Sequence, residues 1–255
     1  MGVPLQFRIA TYNIHKCRGF DRRTSPQRII SVMQEIRADI VCLQEVVDAP
    51  NGASTFDQAG QIAKAFPDFT WCFGANRQLH GGNYGNMTLS RLPIFQWRNH
   101  DLTQSKREER GVLQADIEIG MGVTLRVFNV HLGTSLTERR HQATRLLGKK
   151  VLGEADKAKP RIVLGDFNEW ARGLTTKLLR TSFQTFRPRH GWRFPGTFPG
   201  MLPLLTLDHC YYESPLQLEE TLLWQSRSAM IASDHLPLIA EFRVSGSSHS
   251  DPQQS

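Results

Sequence analysis

The chain has 255 residues, 40% of them hydrophobic, which is enough for a sizeable core in one large domain or two small ones. Its 31 Lys plus Arg exceed its 24 Asp plus Glu, a formal charge of +7. That excess suits anionic partners such as phosphodiesters or lipid headgroups, and equally a merely basic, solvated surface. Cys17, Cys42, Cys72 and Cys210 form no C-x-x-C pair, and three of them lie in or beside apolar stretches. This argues against a disulfide framework or a thiolate zinc site, and for reduced thiols in a cytoplasmic protein.

The N-terminal stretch "MGVPLQFRIATYN" runs directly into a strand pattern, without the features of a signal peptide. Residue 6 is Gln6, so the start departs from the myristoylation pattern. No apolar run is long enough to span a membrane. Residues 7–13 ("FRIATYN") read as a strand. Ser25 and Pro26 read as the N-cap and first position of a helix with Ile29, Val32, Met33 and Ile36 on its apolar side. Residues 39–45 ("DIVCLQE") form a short apolar run suited to a strand buried on both faces. Thr55 and Gln58 match a capping box before a second helix.

Residues 69–75 and 86–91 read as strands around a Gly- and Asn-rich stretch, "NRQLHGGNYG", expected to be a turn region or a site loop. Residues 111–119 and 123–132 form a hairpin across Gly120, Met121 and Gly122. Ser135 and Glu138 match another capping box, ahead of a basic amphipathic helix with Ala143, Leu146, Leu147 and Val151. Strand patterns follow at 161–165, 207–212 and 236–244. The tail from 245 to 255 has almost no apolar content and is expected to be disordered, leaving residues 1–244 as a single domain. Many strands with a few helices between them suit an α+β or α/β domain with helices outside.

Six of the strand-like segments end in, or carry, polar side chains that do not suit a core. They supply Asn13 and His15, then Gln44 and Glu45, then Asn129 and His131, then Asp166 and Asn168, then Asp208, and last Asp234 and His235. Side chains two apart on a strand share a face, so Asn129 and His131 share one, and so do Asp166 and Asn168 if the strand runs through them. Phe167 then turns the other way, into the core. Taken singly, each residue has an ordinary explanation: a turn-forming Asn, a surface Glu, a satisfied core His. Together they are a set of hard oxygen donors with two histidines. Burying several carboxylates is costly unless they hold a metal or charged partners. Carboxylate and carboxamide oxygens suit Mg²⁺ or Mn²⁺. Phosphoryl transfer asks for this kit: charge neutralisation, an oriented water and a proton for the leaving oxygen.

The segments "TYNIH", "LQEV", "GNMTLSR", "ERGVL", "NVHLG", "LGDFNEW", "LDHCYY" and "SDHLPL" resemble, in order and across nearly all of 7–244, the endonuclease/exonuclease/phosphatase superfamily. The resemblance implies a DNase I-like four-layer sandwich, with two mixed β-sheets face to face and helices outside. It further implies Glu45 as the main Mg²⁺ ligand (Mn²⁺ substituting), with Asn13 and Asp234 close to the metal. Asp166 and Asn168 would hold the attacking water and the phosphate. His235, paired with Asp208, would act on the water or the phosphoryl oxygens. His131 would protonate the leaving group, and Arg110 and Asn86 would bind phosphate. His15 and Lys16 stand where AP endonucleases carry an acidic or Asn-containing motif, and the overall pattern is most similar to short bacterial members of uncertain substrate.

The resemblance therefore implies a Mg²⁺-dependent phosphodiesterase, nuclease-like in the first reading. A phospholipid or small-molecule phosphodiesterase or phosphatase is the alternative, and an inactive binding protein of the same fold is the reading from another class. Basic clusters at 16–23, 106–110, 137–142 and 187–193 suit nucleic acid, and Trp192 and Phe194 beside the last suit base stacking or, equally, loop packing. The apolar segment 198–205 ("FPGMLPLL") is read as a buried loop in preference to an exposed lip that touches lipid, so a membrane-surface partner is not favoured.

Overall fold

Alternation of side chains along each strand decides which layer that strand faces. The computed structural model describes residues 5–51, 57–79, 81–120, 122–153, 159–169, 173–186 and 196–244. In chain order the elements are β1 (Leu5–Asn13), a 3-10 turn (His15–Cys17), α1 (Pro26–Ile36), β2 (Ile40–Asp48), α2 (Gln58–Ala65), β3 (Thr70–Leu79), β4 (Gly82–Ser90), β5 (Ile94–Asp101) and β6 (Gly111–Glu118). Then follow β7 (Thr124–His131), α3 (Leu136–Leu147), β8 (Arg161–Asp166), α4 (Leu174–Leu179), β9 (Gln184–Thr185), β10 (Asp208–Tyr212), β11 (Leu216–Leu223), α5 (Arg227–Ala232) and β12 (Leu238–Val244).

The strands form two six-stranded mixed sheets, ordered β11-β12-β1-β2-β4-β3 and β5-β6-β7-β8-β10-β9. Each has one parallel pair at its centre, β1 with β2 and β7 with β8, and antiparallel neighbours elsewhere. Parallel neighbours need a crossover, here supplied by α1 and α3. Between the sheets, Phe7, Ile9, Ile40 and Cys42 meet Leu113, Ile117, Val127 and Leu164. The opposite face of the first sheet, with Ala10, Tyr12 and Leu43, packs on Ile29, Val32, Met33 and Ile36 of α1. The outer face of the second, with Val112, Phe128 and Val163, packs on Leu146 of α3 and Leu179 of α4. This is the four-layer sandwich, helices outside. All four cysteines are free and buried, three of them between the sheets. No helix among the described residues is long and apolar enough to cross a membrane.

Several local expectations change. The stretch 76–85 is a turn only near its middle, at Gly81: β3 and β4 pair on either side of it, from Gly74 opposite Asn86 to Leu79 opposite Gly82. Gly81, with φ 76°, serves the turn, whereas Gly82 and Gly85 mislead because they serve close backbone approach. A Cβ on Gly85 would lie 1.9 Å from the Gly74 carbonyl oxygen, so the strand has no room for a side chain there. The edge strands β5 and β11 escape the sequence pattern because an edge strand carries polar side chains and buries little. Thr55 lies outside the described residues, and the observed cap of α2 is Asp57, whose Oδ1 accepts the Gly60 N–H at 3.1 Å. Ser135 caps α3 as expected, but the Glu138 carboxylate accepts from Gln142. The helix ends at Leu147, before Val151. The tail 245–255 lies outside the described residues.

One buried charge outside the strand ends ties the second sheet together. Asp116 on β6 is fully buried and accepts from Arg126 Nε and Nη2 at 2.8 and 2.9 Å and from Lys159 Nζ at 3.2 Å. Burial works against its charge, but Arg126, Gln114 and Lys159 outweigh burial and hold the carboxyl below its ordinary range. A depressed folded pKa means its contribution is present at neutral pH and is lost as pH falls through the folded value. Asp116→Asn is expected to cost about 1–3 kcal/mol at neutral pH, because it removes the charged acceptor shared by two partly buried cations. The gap from wild type should close in acid. Denaturant melts at neutral and acid pH check this, and a gap that does not change with pH refutes it.

Candidate active site

The polar strand ends gather at one edge of the sandwich, where the carboxyl ends of both parallel pairs meet. Asn13 ends β1 opposite Gln44 of β2, and His131 ends β7 opposite Asp166 of β8. Asp208 opens β10 opposite Asp166, and Asp234 and His235 lie just before β12. A β-bulge places Glu45: Gln44 and Glu45 together lie opposite the single residue Asn86 of β4. Glu45 has φ 60°, Asn168 φ 48°, His15 φ 45° and Lys16 φ 56°, all left-handed. Non-glycine residues enter that region at a cost, and such outliers cluster at functional sites. Strand β8 stops at Asp166, so Asn168 reaches the edge through this turn and not by strand alternation. Phe167 does turn into the core, against Tyr211.

Asp166 is the hub. Its Oδ2 accepts from Asn13 Nδ2 at 2.9 Å and lies 3.7 Å from Nε2 of both His131 and His235. Its Oδ1 accepts the Asn168 N–H at 2.8 Å, while Asn168 Nδ2 donates to the Leu132 carbonyl at 2.8 Å. His235 Nδ1 meets Asp208 Oδ2 at 2.9 Å, the expected pair. Asp208 Oδ1 is buried with no partner among the described residues. Asn13 Nδ2 also reaches Glu45 Oε1 at 3.3 Å, and Asn13 Oδ1 accepts the His15 N–H at 3.0 Å. His15 Nδ1 lies 3.1 Å from Asp234 Oδ2.

The electrostatics follow from this crowding. Burial raises the Asp166 carboxyl, with Asp208 adding repulsion, to about 6. Burial alone would lower His235, yet Asp208, Asp166 and Asp234 hold its imidazole up at about 10. Burial and the Arg110 charge push His131 the other way, below the ordinary value. Burial opposes the Glu45 carboxylate, but the charges of His131, when protonated, and of Lys16 hold it down at about 2.

Lys16 was not among the expected site residues, yet its ammonium pairs directly with Glu45 Oε2. Glu45 shows no cationic neighbour in sequence because Lys16 lies on another strand's exit. The signal that could have found it is its position three after Asn13. Ser233 and Thr197 were also missed. Ser233 Oγ donates to the Asn13 carbonyl at 2.8 Å, and Thr197 Oγ1 accepts the N–H groups of Leu207 and Asp208 at 3.1 and 3.2 Å.

Some expected residues stand elsewhere. Asn86 gives its amide protons to the carbonyls of Asn129 and Gly111, at 3.0 and 3.4 Å, and its remaining buried Oδ1 is an acceptor. A phosphate needs donors, so this placement suits a tie between the sheets. Gln44 and Asn129 do the same: Gln44 Nε2 donates to Asn129 Oδ1 at 2.8 Å, and Asn129 Nδ2 donates to the Leu43 and Met87 carbonyls. Arg110 is 6% exposed, bonds Glu108 through Nη2 at 2.8 Å, and keeps Nε and Nη1 buried without partners among the described residues. Orphaned guanidinium donors suit an anion.

The basic clusters are partly structural. Arg139 is buried, donating to the carbonyls of Gly133 and Thr134, and Arg110 and Arg77 share Glu108. The cluster 187–193, with Trp192 and Phe194, lies outside the described residues. The segment 198–205 overturns its expectation: it is a hairpin with Phe198 bridged to Leu205, and Met201, Leu202, Leu204 and Leu205 are exposed. Its backbone bonds are closed internally, Leu205 N to Phe198 O and Gly196 N to Pro203 O, so it stands without burying its tip.

The donor set fits a hard divalent cation. The oxygens of Glu45, Asp166, Asp208 and Asp234 crowd one edge, one of them without a partner among the described residues, and Asp166 is raised by burial with the Asp208 charge adding to it. Among the described residues no three His, Cys, Asp or Glu side chains form a ready metal cage. Mg²⁺ does not require one, since it binds through one or two carboxylates together with waters and substrate phosphates.

The sequence pattern that defines the Endonuclease/Exonuclease/phosphatase family matches residues 10–235. The chain is 34% identical over 250 residues to the uncharacterized protein YbhP of Escherichia coli strain K12, covering 93% of this chain and 96% of that one. Its fold is similar to that of an endonuclease/exonuclease/phosphatase from Beutenbergia cavernae DSM 12333, with a TM-score of 0.78 at 20% identity over 94% of this chain and 72% of that one. It is also similar to the Bacteroides thetaiotaomicron VPI-5482 mannosyl-6-phosphatase, with a TM-score of 0.76 at 17% identity over 92% and 99% of the two chains. Members of the family generally use divalent metal ions. With the strand-end carboxylates and histidines at the edge of a DNase I-like sandwich, the chain belongs to the endonuclease/exonuclease/phosphatase family and is a phosphoric ester hydrolase.

Proposed function

We propose that the enzyme hydrolyses phosphodiesters by in-line attack of water, with Mg²⁺ or Mn²⁺ held by Glu45 and with Asn13 and Asp234 close by. The observation that carries this reading is Asp166, whose Oδ2 is shared by Asn13 at 2.9 Å and by both histidines at 3.7 Å. A bound cation supplies charge neutralisation at a phosphoryl oxygen. The remaining work falls to side chains. Asp166, oriented by Asn13 and by the Asn168 N–H, positions the attacking water and takes its proton. His235, held by Asp208 with its Nε2 facing the same space, stabilises charge on the non-bridging oxygens. His131, beside Arg110 and held below its ordinary value in the free enzyme, gives a proton to the leaving oxygen once the anionic phosphodiester beside it has raised its imidazole. Arg110 offers its two orphaned donors to the phosphoryl group.

The basic surface suits a nucleic acid, as the sequence suggests. The exposed apolar hairpin beside His235 favours the second reading, an amphiphilic phosphodiester. The test is a hydrolysis screen with Mg²⁺ and with Mn²⁺ across DNA, RNA, phospholipids, and chromogenic mono- and diesters. Turnover of diesters in preference to monoesters is expected. A preference for monoesters, or no diester turnover with either cation, refutes the proposal.

A further inference from the structure

The hairpin spanning 196–206 is rooted in the site and open at its tip. At its base, Thr197 holds the N–H of Asp208, the Leu236 N–H donates to the Thr197 carbonyl at 2.9 Å, and the Phe198 ring lies 5.1 Å from the His235 ring. The Gly200 N–H donates to the Asp234 carbonyl at 2.7 Å. Beyond that anchor, Met201 is 48% exposed, Leu202 48%, Leu204 55% and Leu205 37%. Phe20, 68% exposed, joins the same rim: its N–H donates to the Ile231 carbonyl at 3.1 Å, three residues before Asp234. A single exposed leucine is ordinary, but four aliphatic side chains in five residues, with a phenylalanine on the neighbouring loop, form a patch that calls for a partner.

The loop that carries Phe20 also carries exposed Arg18, Arg22 and Arg23, and the start of α5 adds exposed Arg227. The acid among them, Asp21, is matched by Arg28 through two bonds of 2.8 Å. An apolar tip beside exposed arginines that outnumber the one acid of their loop is complementary to an anionic lipid surface, with acyl chains for the leucines and headgroup phosphates for the guanidiniums. A second copy of this chain would bring the same basic loop and a charge of +7 against its like. Nucleic acid is disfavoured by the tip itself, because bases stack on aromatic rings and this tip is aliphatic.

We propose that the hairpin tip and Phe20 insert into an anionic membrane surface, and that the substrate is the phosphodiester of a phospholipid presented there; the substrate half rests on the phosphodiesterase reading above. Docking at the tip brings headgroups to the level of His235 and Asp166 without withdrawing a lipid from the bilayer.

The experiment combines co-sedimentation with phosphatidylcholine vesicles, with and without phosphatidylglycerol, release of phosphate-bearing headgroup from those vesicles, and turnover of soluble bis(4-nitrophenyl) phosphate. The wild type is expected to bind the phosphatidylglycerol vesicles, less so at high salt. The double variant Leu202→Ser with Leu204→Ser should bind roughly 10- to 100-fold more weakly, and Arg22→Glu with Arg23→Glu should lose the preference for anionic vesicles. Both should turn over the soluble diester as the wild type does. Docking is overturned if the wild type does not bind vesicles, if the variants bind as it does, if a DNA duplex binds where vesicles do not, or if the leucine variant only converts a dimer to a monomer. Vesicle binding without headgroup release overturns the substrate half. Vesicle binding with neither headgroup release nor turnover of the soluble diester overturns the phosphodiesterase reading and upholds the surface.

Discussion

Glu45→Gln is expected to lower turnover by about 10³-fold or more and to weaken Mg²⁺ and Mn²⁺ binding in parallel, with the fold intact. The size follows from the several kcal/mol of transition-state charge stabilisation that a Lewis acid supplies at a phosphoryl oxygen. Glutamine keeps the shape of the side chain and its left-handed backbone at φ 60°, so the bulge need not rearrange. The change also removes the ion pair with Lys16, whose side chain is 31% exposed. A partly exposed pair of this kind contributes about 0–1 kcal/mol, too little to unfold a domain. Two readouts separate metal loss from damage: Mn²⁺ affinity by calorimetry, and the melting temperature with and without Mg²⁺. Unchanged metal affinity in a folded variant removes Glu45 from the metal site. Because Lys16 and a cation seek the same carboxylate, Lys16→Met is the informative companion, expected to bind Mn²⁺ no more weakly than the wild type.

His131→Ala should separate substrates by their leaving groups. A general acid contributes about 10²–10⁴-fold, and that loss is expected in full for an alkyl ester, whose alkoxide cannot depart without a proton. A nitrophenyl ester should lose far less. His235→Ala should slow both alike, because charge on the phosphoryl group must be stabilised whatever leaves. The geometry gives the two rings distinct places: His235 is fixed through Nδ1 by Asp208 at 2.9 Å, whereas among the described residues the carboxylate facing His131 is Asp166, 3.7 Å from Nε2, with Arg110 and Glu45 nearby. Both are buried, so His131→Gln serves as a second variant that keeps most of the volume. Equal losses on the two leaving groups make His131 a phosphate ligand instead of an acid.

The sequence by itself determined the parts of this protein that repeat with a period or sit at a strand end. Ile29, Val32, Met33 and Ile36 announce α1, and the hairpin across Gly120 and Gly122 appears where Gly-x-Gly interrupts two apolar runs. Asn13, Glu45, His131, Asp166, Asp208 and His235 stand out because each is a polar residue at the end of an apolar strand, a placement that burial penalises unless the strand ends converge. What it could not determine depends on partners distant in the chain. Lys16 meets Glu45 only because parallel pairing sets β1 beside β2. Gln44 and Asn129, polar in the same way as their neighbours, turn inward to bind carbonyls across the sheets, which strand alternation alone cannot distinguish from turning toward a cleft. Gly85 reads as loop because composition does not reveal that its backbone touches that of Gly74. The segment 198–205 reads as buried because it is apolar, yet it closes its own backbone hydrogen bonds as a hairpin and leaves its leucines in solvent. Hydrophobicity gives a side chain a reason to be covered, and only tertiary contacts decide whether this chain is what covers it.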